Sequence, residues 1–384
     1  VLLILALVAA VVRGARAGFV FTLGSTIGAI VGAVAAVVLV PVLAAWVPDP
    51  QWRIAAVFAA IALLVIGGLS LGEGIGHHWR RRVRKRLRVL DRVVGAVAGG
   101  AVGVLVVSLL GSTVTALGIP LVSPAVASST VLSTIERYTP DPLARALGQV
   151  RGLVVSEGIP RIADALGALD SGPPPTIDGG SPALTEAAQS VGRVTGAAYA
   201  CGQTQSGSAF VIADDRLLTN AHVVAGVTEP TVELPGVGGV AGRIVYFDAQ
   251  QDVAVIAIDG LSTAPLALGE TLPDGTVAVQ GYPFGGPFAS TGAEIVDVST
   301  IEASSIDGGS RAPRESYTLA ADVNPGNSGG PVLDLDGRVI GMVYARSATR
   351  DDIGYAHTMA ELDDVIAAAP QLTDAVGSGR CTTG

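Results

Sequence analysis

Three short segments of this chain carry residue types that together can perform acyl transfer. They are Thr219-Asn220-Ala221-His222-Val223-Val224, Gln251-Asp252-Val253-Ala254-Val255-Ile256, and Asn324-Pro325-Gly326-Asn327-Ser328-Gly329-Gly330-Pro331. A serine hydroxyl is a weak nucleophile near neutral pH. It needs a base to take its proton, a group to orient that base, and donors for the oxyanion that develops. His222 is the candidate base, Asp252 the residue that would fix its tautomer and stabilise the imidazolium, and Ser328 the nucleophile. Gly326 can adopt the turn that aims its own N–H and that of Ser328 into one pocket, an oxyanion hole, with Asn327 between them holding the loop. Singly, each residue has an ordinary explanation: a packed histidine, an aspartate opening a strand, a glycine loop. In combination, with Asp252 30 residues after His222 and Ser328 a further 76 on, they predict a catalytic triad.

The elements that must position these residues read as short β-branched stretches broken by Gly, Asp and Pro. Strands are expected at Gly207 to Ile212, Leu217 to Thr219, Gly242 to Tyr246, Val253 to Ile258 and Thr276 to Gln280, then at Glu294 to Ile301, Ser316 to Thr318, Pro331 to Leu333 and Val339 to Ala345. One helix, Glu361 to Ala368, closes the chain. Regular short strands with turn signals indicate an all-β domain, here two small barrels in tandem dividing near Leu266 to Asp274. The strand-turn-helix elbow of α/β-hydrolases is not expected, which disfavours an esterase of that kind.

The rest of the chain has a different character. Of 384 residues, 49% are hydrophobic, too many for a purely soluble protein of this length. Charge is divided as well: residues 1 to 119 hold 11 Lys+Arg against 3 Asp+Glu, and residues 120 to 384 hold 13 against 30. The acidic half lacks the basic face that phosphate binding needs, so nucleic acid is not expected as a partner. Four apolar runs follow one another: Val1 to Val12, short enough to be read as truncated, then Phe19 to Trp46, Ile54 to Leu71 and Val93 to Ile119. A single signal peptide would not be followed by three further spans, so the region is expected to be a retained multi-pass anchor. Arg80, Arg81, Arg82, Arg84, Lys85, Arg86, Arg88 and Arg92 crowd the third loop. The positive-inside rule puts that loop in the cytoplasm and everything after Ile119 on the periplasmic or cell-wall side. Three domains result: 1–119, an α-helical membrane region; 120–183, an amphipathic segment with short helices such as Leu143 to Ser156 and a Pro/Gly linker from Ser171 to Pro182 that would hold the next domain off the membrane; and 184–384, the catalytic domain.

Within the anchor, Gly24, Gly28 and Gly32, Gly68, Gly72 and Gly76, and Gly95, Gly99 and Gly103 recur every four residues. Each set lies on one helix face and lets backbones approach in lipid, so the helices are expected to pack with one another or with other membrane proteins. Glu73 is either a functional intramembrane acid or an interfacial one, and His77 and His78 read as interfacial rather than metal-binding. Two cysteines, Cys201 and Cys381, fall in the external part; they are bridged or are two free buried thiols, and the even count and placement favour a bridge.

The segments SGSAFVI (Ser206 to Ile212), LTNAHVV (Leu218 to Val224), DVAVI (Asp252 to Ile256), GYP (Gly281 to Pro283) and NPGNSGGPV (Asn324 to Val332) resemble the trypsin-like serine endopeptidases, in particular the bacterial Deg/HtrA branch. The His, Asp, Ser order is that of the chymotrypsin-like arrangement, so the resemblance implies a chymotrypsin-like double β-barrel. The chain departs from Deg/HtrA in ending too soon after Ser328 for a PDZ domain and in its multi-span region, which resembles the colicin V production (CvpA) family. The combination is similar to the actinobacterial membrane-anchored periplasmic proteases of acid resistance. That resemblance implies the triad at His222, Asp252 and Ser328, a Cys201–Cys381 disulfide, and a role in acid or envelope stress. It also implies protein or peptide substrates, a lipid environment and no cofactor or metal. Asp322, six residues before Ser328, would select a basic P1 residue if it lined the pocket floor, or would merely cap a turn, in which case small or aliphatic P1 residues are favoured. Val343, Tyr344 and Ala345, with Gly354 to Ala356, are the expected pocket wall. Two other readings remain: a binding module on a protease scaffold, which would usually have lost a triad member, and a transport component with a regulatory protease attached.

Overall fold

The computed structural model describes residues 2–45, 50–80, 87–116, 126, 129–139, 159–162, 172–198, 201 and 203–382. The expected helix at Leu143 to Ser156 lies outside them. The chain divides into two compact units, Val1–Ser108 and Leu109–Gly384.

The first unit is helical: α1 (Leu2–Ala17), α2 (Phe19–Ala45), α3 (Pro50–Arg80) and most of α4 (Arg88–Ala116). These coincide with the four apolar runs, and α1, α3 and α4 are longer than theirs because polar flanks join the helix. The glycine faces meet as their spacing predicts. A Cβ placed on Gly28 of α2 would stand 2.2 Å from the Gly68 carbonyl oxygen of α3, and one on Gly24 2.6 Å from that of Gly72. Gly14 and Gly95 make the same backbone approach between α1 and α4. Large apolar side chains point the other way: Ile27, Ile30, Val31 and Val34 of α2 are all more than half exposed. Ionic groups gather at one end of the unit. Arg13 meets Glu73 at 2.7 Å, and Asp91 lies 3.7 Å from Arg80 while accepting the Val20 N–H near the start of α2. Glu73 is thus in an ion pair. By length and composition, α2 over Phe19–Ala36 and α4 over Arg88–Ser108 could each cross a membrane.

The second unit adds α5 (Thr130–Tyr138), a two-residue strand β1 (Arg161–Ile162), α6 (Pro182–Ala187) and thirteen further strands in two sheets. The first sheet comprises β2 (Val191–Ala198), β3 (Gln203–Ala213), β4 (Arg216–Thr219), β5 (Thr231–Leu234), β6 (Gly238–Ala241), β7 (Arg243–Asp248) and β8 (Val253–Ala257). Their order is β6-β5-β2-β3-β4-β8-β7, and a four-residue helix, α7 (Ala221–Val224), leaves the end of β4. The second sheet takes β9 (Gly275–Gly281), β10 (Ala289–Ser304), β11 (Arg311–Ala320), β12 (Pro331–Leu333), β13 (Val339–Ser347) and β14 (Ile353–Thr358), in the order β1-β13-β12-β9-β10-β11-β14. β14 also pairs with β13, so six of these strands form a hydrogen-bonded ring. The sheets divide between Ala257 and Gly275, around the expected boundary.

All nine strands expected from the sequence are present. Five were not expected, β1, β2, β5, β6 and β14, and three of these contain glycines that break the β-branched signal. Their reason is spatial: Gly192 of β2 lies under Leu234 and Val232, and Gly354 of β14 under Val323. Between the sheets lies one apolar cluster that draws Phe210, Leu218 and Val255 from the first and Ala278, Leu333 and Met342 from the second. The last helix, α8 (Met359–Ala368), inserts Leu362 and Ile366 into it. Its buried positions Met359, Leu362, Val365 and Ile366 follow helical spacing. Fully burying a side chain such as Leu218 contributes about 1.5–3 kcal/mol.

The proline stretch behaves otherwise than expected. Residues 172–180 lack regular structure, yet they lie along the second sheet: Gly292 is close-packed under the Pro175 carbonyl, and Ile177 joins the inter-sheet cluster. This part of the segment is a strap on the β unit, because Ile177 supplies apolar area and Gly292 leaves room for the strap's backbone.

Candidate active site

The site is assembled from the ends of β4, β8 and the β11–β12 connection. Thr219 pairs with Ala254 across β4 and β8, which sets the start of α7 opposite the turn before β8. His222 and Asp252 therefore meet, although 30 residues separate them. The carboxylate engages the histidine twice: Oδ1 accepts the His222 backbone N–H at 2.9 Å and Oδ2 lies 2.8 Å from Nδ1. The Asp252 carbonyl accepts from Asn220 Nδ2 at 2.9 Å. Asp252 itself has φ 59°, a left-handed conformation that aspartate tolerates better than most residues. His222, Asp252 and Ser328 are all buried, at 4%, 1% and 2% exposure. With Nδ1 facing the carboxylate, Nε2 is the nitrogen free to take a proton.

Ser328 lies on a loop whose shape is set by close backbone contacts. Gly326 has φ 93°, and a Cβ there would stand 2.3 Å from the Tyr282 carbonyl; Gly329 has φ 79°, with the Ser208 carbonyl 2.1 Å from the same imagined atom. Only glycine fits either place. Asn327 closes the loop, donating its N–H to the Asn324 carbonyl and accepting the Asn324 N–H on Oδ1, both at 3.0 Å. The Phe284 N–H holds the Pro325 carbonyl at 2.5 Å. In a trans peptide the N–H points away from its own carbonyl, so this bond turns the Gly326 N–H to the opposite side.

Ser208, within the SGSAFVI segment but not singled out by sequence reasoning, ties these parts together. Its N–H donates to the Ser328 carbonyl at 2.8 Å, its hydroxyl donates to the Gly326 carbonyl at 2.7 Å and accepts the Tyr282 N–H at 2.9 Å, and its carbonyl accepts the Thr219 hydroxyl at 2.7 Å. The one sequence signal is a small hydroxyl residue in a strand that otherwise calls for apolar side chains.

Two polar atoms at the centre stand out. His222 Nε2 and Ser328 Oγ are both buried and neither has a hydrogen-bond partner. Leaving such groups unpaired is costly, and a catalytic role is one reason that folded proteins keep them.

The expected pocket residues are placed differently from one another. Asp322 is exposed and accepts a hydrogen bond from the Asn324 side chain, Nδ2, at 2.9 Å. Val343 belongs to the core of the second sheet, and its carbonyl accepts the Gly329 N–H. The Tyr344 side chain turns inward: its hydroxyl pairs with Ser316 Oγ at 2.9 Å and its ring stacks on His357 with centroids 4.4 Å apart. Burial pushes the Tyr344 phenol up. Ala345 is buried beside Ile353 and Tyr355. Burial also drives His357 well below the usual histidine range, reinforced by the nearby Arg314 guanidinium and only partly offset by the Asp252 backbone. Cys201 and Cys381 are joined in a disulfide.

Two sheets, with a hydrogen-bonded histidine and aspartate on the first and a serine on a glycine loop of the second, present the groups of a trypsin-like serine protease. Residues 207–342 match the trypsin-like peptidase domain and residues 1–140 the colicin V production protein family. The serine protease Rv3671c of Mycobacterium tuberculosis is 32% identical over 271 residues, 69% of this chain and 68% of the relative. The crystal structure of that protease in its active form superposes with a TM-score of 0.54 at 31% identity, covering 59% of this chain and 100% of the other. A probable DegP-like periplasmic serine endoprotease of Halomonas elongata is 36% identical over 161 residues, 39% of this chain and 32% of its own length. The chain belongs to the family of Rv3671c: a serine endopeptidase of Deg/HtrA type joined to a colicin V production region.

Proposed function

We propose that the chain is a multi-pass, membrane-anchored endopeptidase that cleaves proteins of the cell envelope, using His222, Asp252 and Ser328 in a double-barrel fold. The observation that carries this reading is the pair of unpartnered buried atoms, His222 Nε2 and Ser328 Oγ, behind which Asp252 engages His222 twice. Ser328 Oγ attacks the scissile carbonyl while Nε2 takes its proton. The negative charge gathers on the former carbonyl oxygen, towards the N–H groups of Gly326 and Ser328. The imidazolium, stabilised by Asp252, then protonates the leaving amine. A water molecule, deprotonated by the same nitrogen, releases the acyl group from Ser328. The Phe284 N–H on the Pro325 carbonyl supports a Gly326 N–H that is already aimed for this role.

The apolar exterior of α2 beside its glycine seam supports a lipid-facing bundle. The arginine-rich stretch 80–92 supports a cytoplasmic third loop and thereby an external protease unit. A disulfide fits that oxidising side. The exposed Asp322, engaged by Asn324, supports small or aliphatic P1 residues over basic ones. A part in acid or envelope stress rests on family likeness.

A fluorophosphonate probe added to the full chain in detergent tests the catalytic assignment. Labelling is expected on Ser328 alone, and Ser328→Ala is expected to lower peptide hydrolysis by about 10⁴-fold or more with the fold retained. Substantial turnover by the Ser328→Ala protein contradicts the reading.

A further inference from the structure

The aspartate of the triad sits at the end of a turn, residues 248–252, in a backbone conformation that disfavours side chains. Within the first sheet, the turn is held by Asp248, whose Oδ1 accepts the N–H groups of Gln250 at 2.7 Å and Gln251 at 2.9 Å. Asn220 Nδ2 holds the Asp252 carbonyl from the same sheet, and three further fastenings come from the β10–β11 hairpin of the second sheet. The Ile306 N–H donates to the Ala249 carbonyl at 3.0 Å, and the Ile306 side chain is buried in the core of the first sheet. Ser310 Oγ is bonded to the side-chain oxygen of Gln250. Deepest of the three, Arg314 Nη2 donates to the Gln250 carbonyl at 2.6 Å, two residues before Asp252.

Arg314 is an expensive residue for this position. It is 4% exposed, and among the described residues no carboxylate lies within ion-pair distance of it. Its guanidinium lies 4.8 Å from the centroid of the Tyr344 ring. Tyr344 is in turn fixed by Ser316 and His357. A cation–π contact of this kind offsets only part of the cost of burying a charge. A long apolar side chain would fill the space without that desolvation. What it could not do is hold the Gln250 carbonyl.

We propose that Arg314 is a positioning residue for the reaction, holding from the second sheet the turn that aims the Asp252 carboxylate at His222. This rests on the proposed triad. The Tyr344 ring sets the plane of the guanidinium, the guanidinium sets the Gln250 peptide, and that peptide sets Asp252.

The test uses the full chain in detergent with Arg314→Met and Arg314→Lys, measuring kcat and KM on a peptide substrate, the thermal midpoint, and rescue by added guanidinium. Arg314→Met keeps the volume and removes the charge, so its thermal midpoint is expected to match or exceed that of the parent. Its kcat is expected to fall about 10- to 100-fold with KM nearly unchanged, because the displaced group acts on the chemistry rather than on substrate binding. Arg314→Lys retains one donor and is expected to be intermediate. Millimolar guanidinium is expected to restore part of the kcat of an Arg314→Ala protein and none of that of Ser328→Ala, which separates this role from simple packing. A folded Arg314→Met protein with parental kcat, or one that loses activity only through KM, overturns the proposal. Should Arg314→Met fail to fold, Arg314→Lys decides: a several-fold loss in kcat supports the proposal, and parental kcat overturns it. Fluorophosphonate labelling of Ser328 in the parent distinguishes failure of this proposal from failure of the triad itself.

Discussion

The helical unit and the β unit bring backbone and side chains together in opposite ways. In the helices, close contact comes from missing side chains: Gly28 against Gly68, Gly24 against Gly72 and Gly14 against Gly95, with Ile27, Ile30, Val31 and Val34 turned outward. In the β unit, contact comes from large side chains turned inward, with Phe210, Leu218, Leu333, Met342 and Leu362 sharing one buried cluster. The difference is the one that the proposed lipid setting of the helical unit predicts. Water drives apolar side chains together, whereas lipid tails give them no reason to hide, and helices then associate through packing and backbone approach. One chain therefore contains two folding problems with two solutions.

Substitutions that exchange the two strategies should break this comparison most strongly. Leu218→Ala is expected to destabilise the β unit by about 2–5 kcal/mol, through lost burial and a residual cavity. Denaturant unfolding followed by peptidase activity measures it. Gly28→Leu should leave hydrolysis of a small peptide untouched and disrupt only the helical unit, read as increased proteolytic nicking of residues 1–108 in detergent. If Gly28→Leu instead abolishes peptide hydrolysis, the two units are not separate in energy.

Reduction of the disulfide sharpens the comparison at the next level. Cys201 and Cys381 close a loop of sequence separation 180 within the β unit alone. Losing the bond is expected to cost about 2–4 kcal/mol of β-unit stability by freeing the unfolded chain. The matching check is a lower thermal midpoint of peptidase activity in Cys201→Ser/Cys381→Ser, with unchanged helical-unit protection.

His357 gives a smaller and pH-dependent effect. Its folded-state pKa is depressed, chiefly by burial and then by the charge of Arg314. The unfolded chain therefore binds a proton near the ordinary histidine pKa of about 6.5 while the folded protein does not. Stability from this residue is full above that value and falls as pH drops below it, by up to about 1.4 kcal/mol per pH unit. His357→Leu should flatten the fall in thermal midpoint between pH 7 and pH 5. An unchanged slope would show that His357 does not set it. For a protein proposed to work under acid stress, this residue is a weakness that the disulfide and core must offset.

Asp322 marks the smallest expected effect. Because its carboxylate is exposed and engaged by Asn324, Asp322→Ala should leave the P1 preference unchanged in a peptide-library profile. A lost preference for Arg or Lys would restore Asp322 to the pocket.

Much of the molecule was legible in the sequence, and the reasons are local. The four helices stand where uninterrupted apolar runs stand, and the nine expected strands carry the β-branched signal that favours a pleated, buried surface. His222, Asp252, Ser328 and the glycines of the Gly326–Gly330 loop were recognisable because their chemistry demands particular residue types at any depth of burial. The glycine-bearing strands β2, β6 and β14 were not, since nothing local says that Leu234 or Val323 will lie over a missing side chain. Nor could sequence place the Asp322 carboxylate against the Asn324 side chain, or turn the Tyr344 side chain inward towards Ser316 and His357. Ser208 and Arg314 act only through carbonyls distant in the chain, those of Gly326 and Gln250, which are brought near by pairing between strands. Sequence alone determined which groups are available for chemistry and which segments suit lipid or water. Tertiary structure decided which backbone atoms those groups meet, because a hydrogen bond to a carbonyl leaves no mark on the identity of the residue that supplies it.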